Sequence, residues 1–314
     1  MANRLTFSKS YGLRLDLDDQ EKARIAQMYT DISNNVGSQI QMLQGIDTRT
    51  AYYQQIFLND LQQQLNSELV QLGRNLEGQI TMDAHYVAGN VLQENVQWAQ
   101  QFNLPIGART ATVRTDIVAS VLNGKLYGPL PDGSNWTLSK AIWNTTEHTQ
   151  KTIESIIAEG IARNASALDI ARQLEYFIDP SKRKDYDISE VYPGATGVID
   201  YNAFRLARTA VSHAYQQAIL RATEKNPFVE GLQWHTAGDH RVCEICNEYE
   251  EQDAYDLGVG VFPKDEVPMD HPMGRCTLIP VMPSMDDIAD AIANWINGEE
   301  DAYTSGLDEY SNYF

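Results

Sequence analysis

The sequence predicts a mainly α protein with a small C-terminal α+β module: an extended helical bundle, then a Cys/His-stapled β-rich knot, then an acidic tail. Three observations predict it. Apolar residues recur at steps of three and four from about residue 18 to residue 224, the period of helices with one buried face. At Asn226-Pro227 that period stops, and short strand-like runs broken by turn residues replace it. Beyond the break, within Trp234–Pro283, lie all three cysteines of the chain.

Residues 1–17 read as an N-terminal arm. Leu13, Leu15 and Leu17 alternate with charged residues, which suits a short strand or a flexible terminus. Residues 18–105 read as a helical hairpin or bundle. Asp18 or Asp19 caps its first helix, and Ile25, Met28, Tyr29, Ile32, Val36, Ile40 and Leu43 form the apolar stripe. Asp47 or Thr48 caps a second helix carrying Leu58, Leu61, Leu65, Leu69, Leu72 and Leu76. Asp83 restarts a third, through Val87, Val91 and Val96, and Pro105 closes the series.

Residues 106–226 read as a second helical domain. Thr115 or Asp116 opens a short helix, and the Gly/Pro cluster over 124–133 is a loop. Ile142, Ile153, Ile156 and Ile157 mark the next helix, which Gly160-Ile161 ends. Ser166 and Asp169 have capping-box spacing ahead of a helix over Ile170–Phe177. Residues 181–200 form a polar loop, and Tyr201–Glu224 is the strongest helix of the chain. Residues 227–283 are the Cys/His module, with strands over Phe228–Thr236 and Arg275–Met282. Residues 284–314 are an amphipathic helix, Asp286–Asn297, and an acidic tail with interleaved Tyr and Phe, read either as disordered or as a docking peptide.

The formal net charge of −19 excludes a broad phosphate-tracking nucleic-acid surface, which needs clustered Lys and Arg. No apolar run is long enough to cross a bilayer, and the opening MANRLTFSKSYGLRL lacks the apolar core of a signal peptide. The expectation is a chain made in a cytoplasm, with no membrane partner.

The cysteines carry the chemistry. Cys243 and Cys246 form a C-x-x-C pair, and His271 and Cys276 follow at long range. Zinc takes four N or S donors in a tetrahedron, and a C-x-x-C turn offers two on adjacent backbone. Cys243, Cys246, His271 and Cys276 are therefore the candidate ligands of a structural zinc ion. The alternatives are a metal-free knot of core cysteines and a disulfide, the latter disfavoured in a reducing cytosol.

This window resembles the C-terminal module of the phage Mu F-like head morphogenesis proteins, also called minor capsid proteins. The resemblance rests on W-x-T-A-G-D-x-R-V-C-x-x-C at Trp234–Cys246 and P-x-x-H-P-x-x-R-C-T at Pro268–Thr277. The A-R-T-x-x-x-x-A-Y helix of that family is matched by Ala207-Arg208-Thr209 and Ala214-Tyr215. The family often reads H-P-x-C-R-C, and here Gly274 stands where the first of those cysteines would be. Either Cys276 supplies the segment's thiolate, or a copy without that cysteine has lost its metal. The resemblance spans roughly residues 106–283 and is specific within 201–283. It implies a virion component in the capsid interior, bound to the portal protein and to other capsid or scaffolding proteins. It also implies a role in procapsid assembly and in DNA packaging or delivery.

An enzyme is the alternative. Asp270-His271 after a C-x-x-C is similar to the D-H pair of metal-dependent His-Asn-His nucleases. That chemistry needs a later His or Asn for the metal, and no His follows His271. A Cys-His protease lacks an oxyanion-hole signature, and a deaminase lacks H-x-E before P-C-x-x-C. Asp239 and Arg241 read as an ion pair that orients the turn, and His235 as a strand-surface residue. The expected role is therefore architectural, without catalysis.

Overall fold

The computed structural model describes residues 4–48, 50, 52–123, 137–179, 181, 199–239 and 242–314. The fold is mainly α, with a small three-stranded antiparallel sheet in the C-terminal third. The loop expected over 124–133, nearly all of the loop expected over 181–200, and Arg241 lie outside the described residues. By internal contacts the chain forms two compact units. One comprises Met1–Leu17, Ile80–Trp136 and Arg208–Phe314, the other Asp18–Gln79 and Thr137–Ala207. Both are discontinuous in sequence, so their bounds do not follow the composition shifts near 105 and 226.

In the second unit the core is a leucine and isoleucine ladder on two long helices, α1 (Ser8–Met42) and α2 (Leu58–Gln100). Ile25, Tyr29, Ile32, Val36 and Ile40 of α1 are buried, as are Leu61, Leu65, Leu69, Leu72 and Leu76 of α2. The helices run antiparallel: Asn35 Nδ2 donates to Glu68 Oε1 at 3.0 Å, and Met28 and Ile32 share a small cleft with Leu72 and Asn75. A π-helical turn, Tyr53–Phe57, leads into α2.

Thr48 caps a different helix from the one expected. Its carbonyl accepts from the Ala167 N–H at 3.1 Å and its Oγ1 from the Leu168 N–H at 3.3 Å. These are orphan donors at the start of α5 (Ala167–Ile178), which Ser166 also caps by accepting from the Asp169 N–H at 3.1 Å. The helix before it, α4 (Leu138–Ala162), is capped by Thr137 and passes through Gly160. Gly160 does not end α4: a Cβ there would run into the Ile170 side chain, so the glycine permits close packing of α4 on α5.

Asp83 does not restart a helix either. Leu76, Ile80, Ala84, Val87 and Val91 are all buried and keep one unbroken helical phase, so α2 passes through it. The expected short helix begins earlier, as α3 (Thr110–Leu122), with Val113, Ile117, Val118 and Val121 buried.

The other unit corrects both ends of the sequence reading. Residues 8–17 are the first turns of α1 and neither a strand nor an arm. Their buried positions are Ser10, Arg14 and Leu17, a helical spacing hidden because two of the three are polar. Glu94 of α2 accepts from both the Ser10 N–H and the Ser10 hydroxyl at 2.6 Å, capping α1 from across the hairpin. At the far end the acidic tail forms α9 (Thr304–Tyr313), after α8 (Met285–Asn297). Leu307, Tyr310 and Phe314 of the tail are fully buried in the same core as Phe228, Trp98 and Ile288. Asp301 initiates α9 by accepting from the Tyr303 and Thr304 N–H groups at 2.8 and 3.0 Å. The apolar residues at 307, 310 and 314 have helical spacing, which outweighs the tail's acidity.

Between these ends, α6 (Ile199–Glu224) enters the unit and leads to β1 (Gly231–His235). Strand order is β2-β1-β3, with β2 Val261–Phe262 and β3 Thr277–Val281. Leu232 faces Phe262 on one side and Pro280 on the other. Pro280 is tolerated because β3 is an edge strand. A short helix, α7 (Glu244–Glu251), carries Glu248, Glu250 and Glu251 after the cysteine pair.

Candidate metal centre

Two loops meet at the ends of β1 and β3. The first follows β1 and carries the cysteine pair. Cys243 is the N-cap residue of α7, with extended backbone (φ −83°, ψ 162°), and Cys246 lies in the first turn. A C-x-x-C across a helix start sets both sulfurs on one side of the turn. It also places them at the positive end of the helix. The second loop, residues 268–276, precedes β3. A turn closed by the Gly274 N–H on the His271 carbonyl at 2.9 Å, with Met273 at φ +68°, folds it back on itself.

The donor atoms of Cys243, Cys246 and His271 lie within 4.8 Å of one another, and so do those of Cys246, Asp270 and Cys276. The four residues expected as ligands are therefore spread over two donor groups that share Cys246. A fifth, Asp270, joins them. In the sequence Asp270 stands out only as part of a nuclease-like D-H pair. Cys246, Cys276 and Asp270 are buried, Cys243 is half-buried and His271 is exposed. The His271 Nδ1 donates to the Pro272 carbonyl at 2.8 Å, which leaves Nε2 as the ring nitrogen that could meet an ion.

The electrostatics fit a cation. Burial pushes the Cys246 thiol far up, and the nearby Cys276 adds to the shift. Burial raises Cys276 as well, followed by the Asp270 charge. The Asp270 carboxyl is raised by burial, while His271 and Arg14 pull it back. Three thiols, an imidazole and a carboxyl gathered in a largely dry site are an electron-rich donor set, which a divalent ion of borderline softness stabilises. This cluster can hold a metal ion.

The scaffold of the second loop is a polar stripe on α6. Thr209 Oγ1 accepts from the Met273 N–H at 3.1 Å, and Ser212 Oγ donates to the Gly274 carbonyl at 3.2 Å. His213 Nε2 lies 2.7 Å from the Asp270 carbonyl, and burial holds this imidazole below its usual range, hence neutral. Gln216 grips the loop twice. Its Nε2 donates to the Pro268 carbonyl at 2.7 Å, and its Oε1 accepts from the Asp270 N–H at 2.8 Å. The Tyr215 hydroxyl, which burial pushes up to about 12, bonds Thr277 Oγ1 at 2.8 Å. From α1, Tyr11 and Arg14 donate to the Arg275 carbonyl at 2.9 and 2.8 Å. The buried Arg14 guanidinium lies over the Tyr11 and Tyr215 rings, at 5.2 and 5.0 Å.

Thr209, Ser212, His213 and Gln216 sit at i, i+3, i+4 and i+7 of the strongest predicted helix. That spacing was a readable signal for a polar contact face. Arg14 had none: it is one basic residue in a segment without apolar period. Asp239 pairs with the guanidinium of Arg275 at 2.5 Å, while its expected partner Arg241 is not described. His235 is on the strand surface, 3.1 Å from Glu250. Glu250 in turn accepts from the Thr236 N–H and hydroxyl at 3.0 and 2.7 Å, tying α7 to the end of β1. Comparison of the chain with protein-family models, with curated proteins and with solved structures returned no match.

Proposed function

We propose that this chain is a minor capsid, or head morphogenesis, protein of a tailed bacteriophage. In this reading it binds the portal protein inside the head, with other capsid or scaffolding proteins as neighbours, and acts in procapsid assembly and in DNA packaging or delivery. The ion at its cysteine cluster is zinc, and its role is to hold the fold together. Its place is the host cytoplasm during assembly and the capsid interior afterwards.

One observation supports the reading. The residues that carry the resemblance to the Mu F-like proteins are the residues that build one structure. Thr209 and Tyr215 of the helix motif bond Met273 and Thr277 of the second loop motif. Cys246 of the first motif shares a donor cluster with Cys276 of the second. A cation there ties two loops that have little apolar core of their own, so its binding energy becomes folding energy of the module. No helix of the described residues is long and apolar enough to cross a membrane.

The test is co-expression with the portal protein of the same phage. The expected result is a complex that survives size-exclusion chromatography, together with about one zinc per chain in the purified protein. No portal complex, combined with magnesium- or manganese-dependent plasmid nicking that disappears in His271→Ala, would replace this function with the nuclease.

A further inference from the structure

The donor cluster holds one side chain more than a tetrahedral ion needs, and the surroundings of Asp270 and His271 separate the two candidates for the fourth position. We propose that Asp270 completes the ligand set with Cys243, Cys246 and Cys276, its carboxylate occupying the space that a side chain at position 274 would otherwise take, while His271 stands at the solvent rim and is dispensable. This rests on the reading of the cluster as a metal site and deepens it.

Space is the first argument. A Cβ built on Gly274 would lie only 2.0 to 2.1 Å from the carboxyl carbon and both oxygens of Asp270. The φ of Gly274 is not positive, so its backbone does not demand glycine. What demands it is the carboxylate. Position 274 and the Asp270 side chain are two routes into one volume, and this chain uses the second.

Aim is the next argument. The Asp270 carboxyl lies within 4.8 Å of both buried sulfurs, Cys246 and Cys276. Its backbone is held at both ends by α6, the N–H by Gln216 at 2.8 Å and the carbonyl by His213 at 2.7 Å. Such a residue is positioned before any ion arrives. His271 groups with only the Cys243–Cys246 pair, and its ring is exposed.

Unspent valence is the last. Asp270 is 4% exposed. Its oxygens accept one backbone N–H each, from His271 at 3.0 Å and from Cys276 at 3.3 Å. A carboxylate has about four lone-pair positions, and a buried one needs a cation. Arg14, whose guanidinium charge acts on this carboxyl, spends its Nη atoms on Ser212 Oγ and the Arg275 carbonyl. The two N–H bonds orient the oxygens as outer partners orient metal ligands.

Cobalt(II) and zinc titrations of the full-length chain test this, with wild type, Asp270→Asn, His271→Ala, and the double variant Asp270→Gly with Gly274→Cys. Asn keeps the size and the hydrogen-bond acceptor but is a poor ligand. Wild type is expected to give the intense visible bands of tetrahedral thiolate-bound cobalt. Asp270→Asn should lower affinity by at least about 100-fold and shift those bands, more than loss of an outer partner would. His271→Ala should change affinity by less than about threefold. The double variant should recover affinity to within about tenfold of wild type, with sulfur-to-cobalt charge-transfer absorbance about one-third higher, as a fourth thiolate replaces the carboxylate. Unchanged binding and bands in Asp270→Asn with loss in His271→Ala would overturn the assignment and leave the metal site standing. A folded double variant that stays at least about 100-fold weaker than wild type would overturn it too, and it covers the case in which Asp270→Asn fails to fold. No metal uptake by wild type would remove the metal reading itself.

Discussion

Two stretches of α1 have the same geometry and opposite chemistry. Over residues 25–40 its buried positions are Ile25, Tyr29, Ile32, Ser33, Val36 and Ile40, and all but Ser33 make an apolar core with α2. Over residues 10–17 the buried positions, at the same helical spacing, are Ser10, Arg14 and Leu17. The first stretch is held by area removed from water, about 25 cal/mol per Å², which is tolerant of detail. The second is held by named bonds. Ser10 meets Glu94, and Arg14 meets Ser212 and the Arg275 carbonyl under two tyrosine rings. A buried helix face therefore needs a period but not an apolar one, and where it is polar the partners must be in place to within tenths of an ångström.

The predictions sharpen this contrast, beginning with the site that the polar stretch supports. Cys246 belongs to both donor groups. Cys246→Ser is expected to lower zinc affinity by at least about 100-fold, and chelation of wild type to abolish near-ultraviolet circular dichroism from Trp234 and Tyr249, whose rings meet edge-on at 5.2 Å. Unchanged spectra after complete zinc removal would show that the loops hold without an ion.

In the apolar stretch, Leu61→Ala removes a fully buried side chain. It should cost about 2–5 kcal/mol by denaturant unfolding, while Leu61→Met should cost less than about 1.5. The polar stretch should show the reverse tolerance. Arg14→Met keeps volume but loses both bonds and the ring contacts, and should cost about 2–4 kcal/mol. A double-mutant cycle with Ser212→Ala should give a coupling energy of about 1 kcal/mol or more. Additivity would mean that Arg14 acts by packing alone.

Smaller effects come from caps and from pH. Ser166→Ala should cost about 1 kcal/mol, and Thr48→Val somewhat less, because Thr48 caps α5 from a distance. Burial works to raise the Glu250 carboxyl, yet the bonds from Thr236 and the charge of His235 outweigh it and hold the group below its usual range. A carboxylate depressed in the folded state stabilises fully above its unfolded pKa, near about 4.3, and that stability is lost as pH falls through the folded value. Wild type should thus lose more stability than Glu250→Gln as pH falls from about 5 to about 3, measured by urea unfolding at each pH.

Much of this was readable because its causes are local. The leucine spacing of 58–76, the Ser166 cap, the strand at 231–235 and the C-x-x-C pair each follow from residues within a turn or two of one another. The acidic tail went unread as structure because its charges dominate composition, while its buried face is only Leu307, Tyr310 and Phe314. The start of α1 went unread because its inward positions are polar. Gly160 and Asp83 look like breaks by residue type alone, but packing on Ile170 and an unbroken apolar phase carry the helices through them.

The sequence by itself determined the helical class, the place where helices give way to a small sheet, and the set of sulfur and imidazole donors, since each depends on period, turn chemistry and spacing along the chain. Only the tertiary structure decided what those donors meet. Asp270 enters the cluster because Gly274 leaves its volume open, and the loop stands where it does because Gln216, His213 and Arg14 take up its backbone polar groups. The physical reason is that burying a polar group is costly until a partner is found. Those partners lie tens to hundreds of residues away, where no local period can announce them.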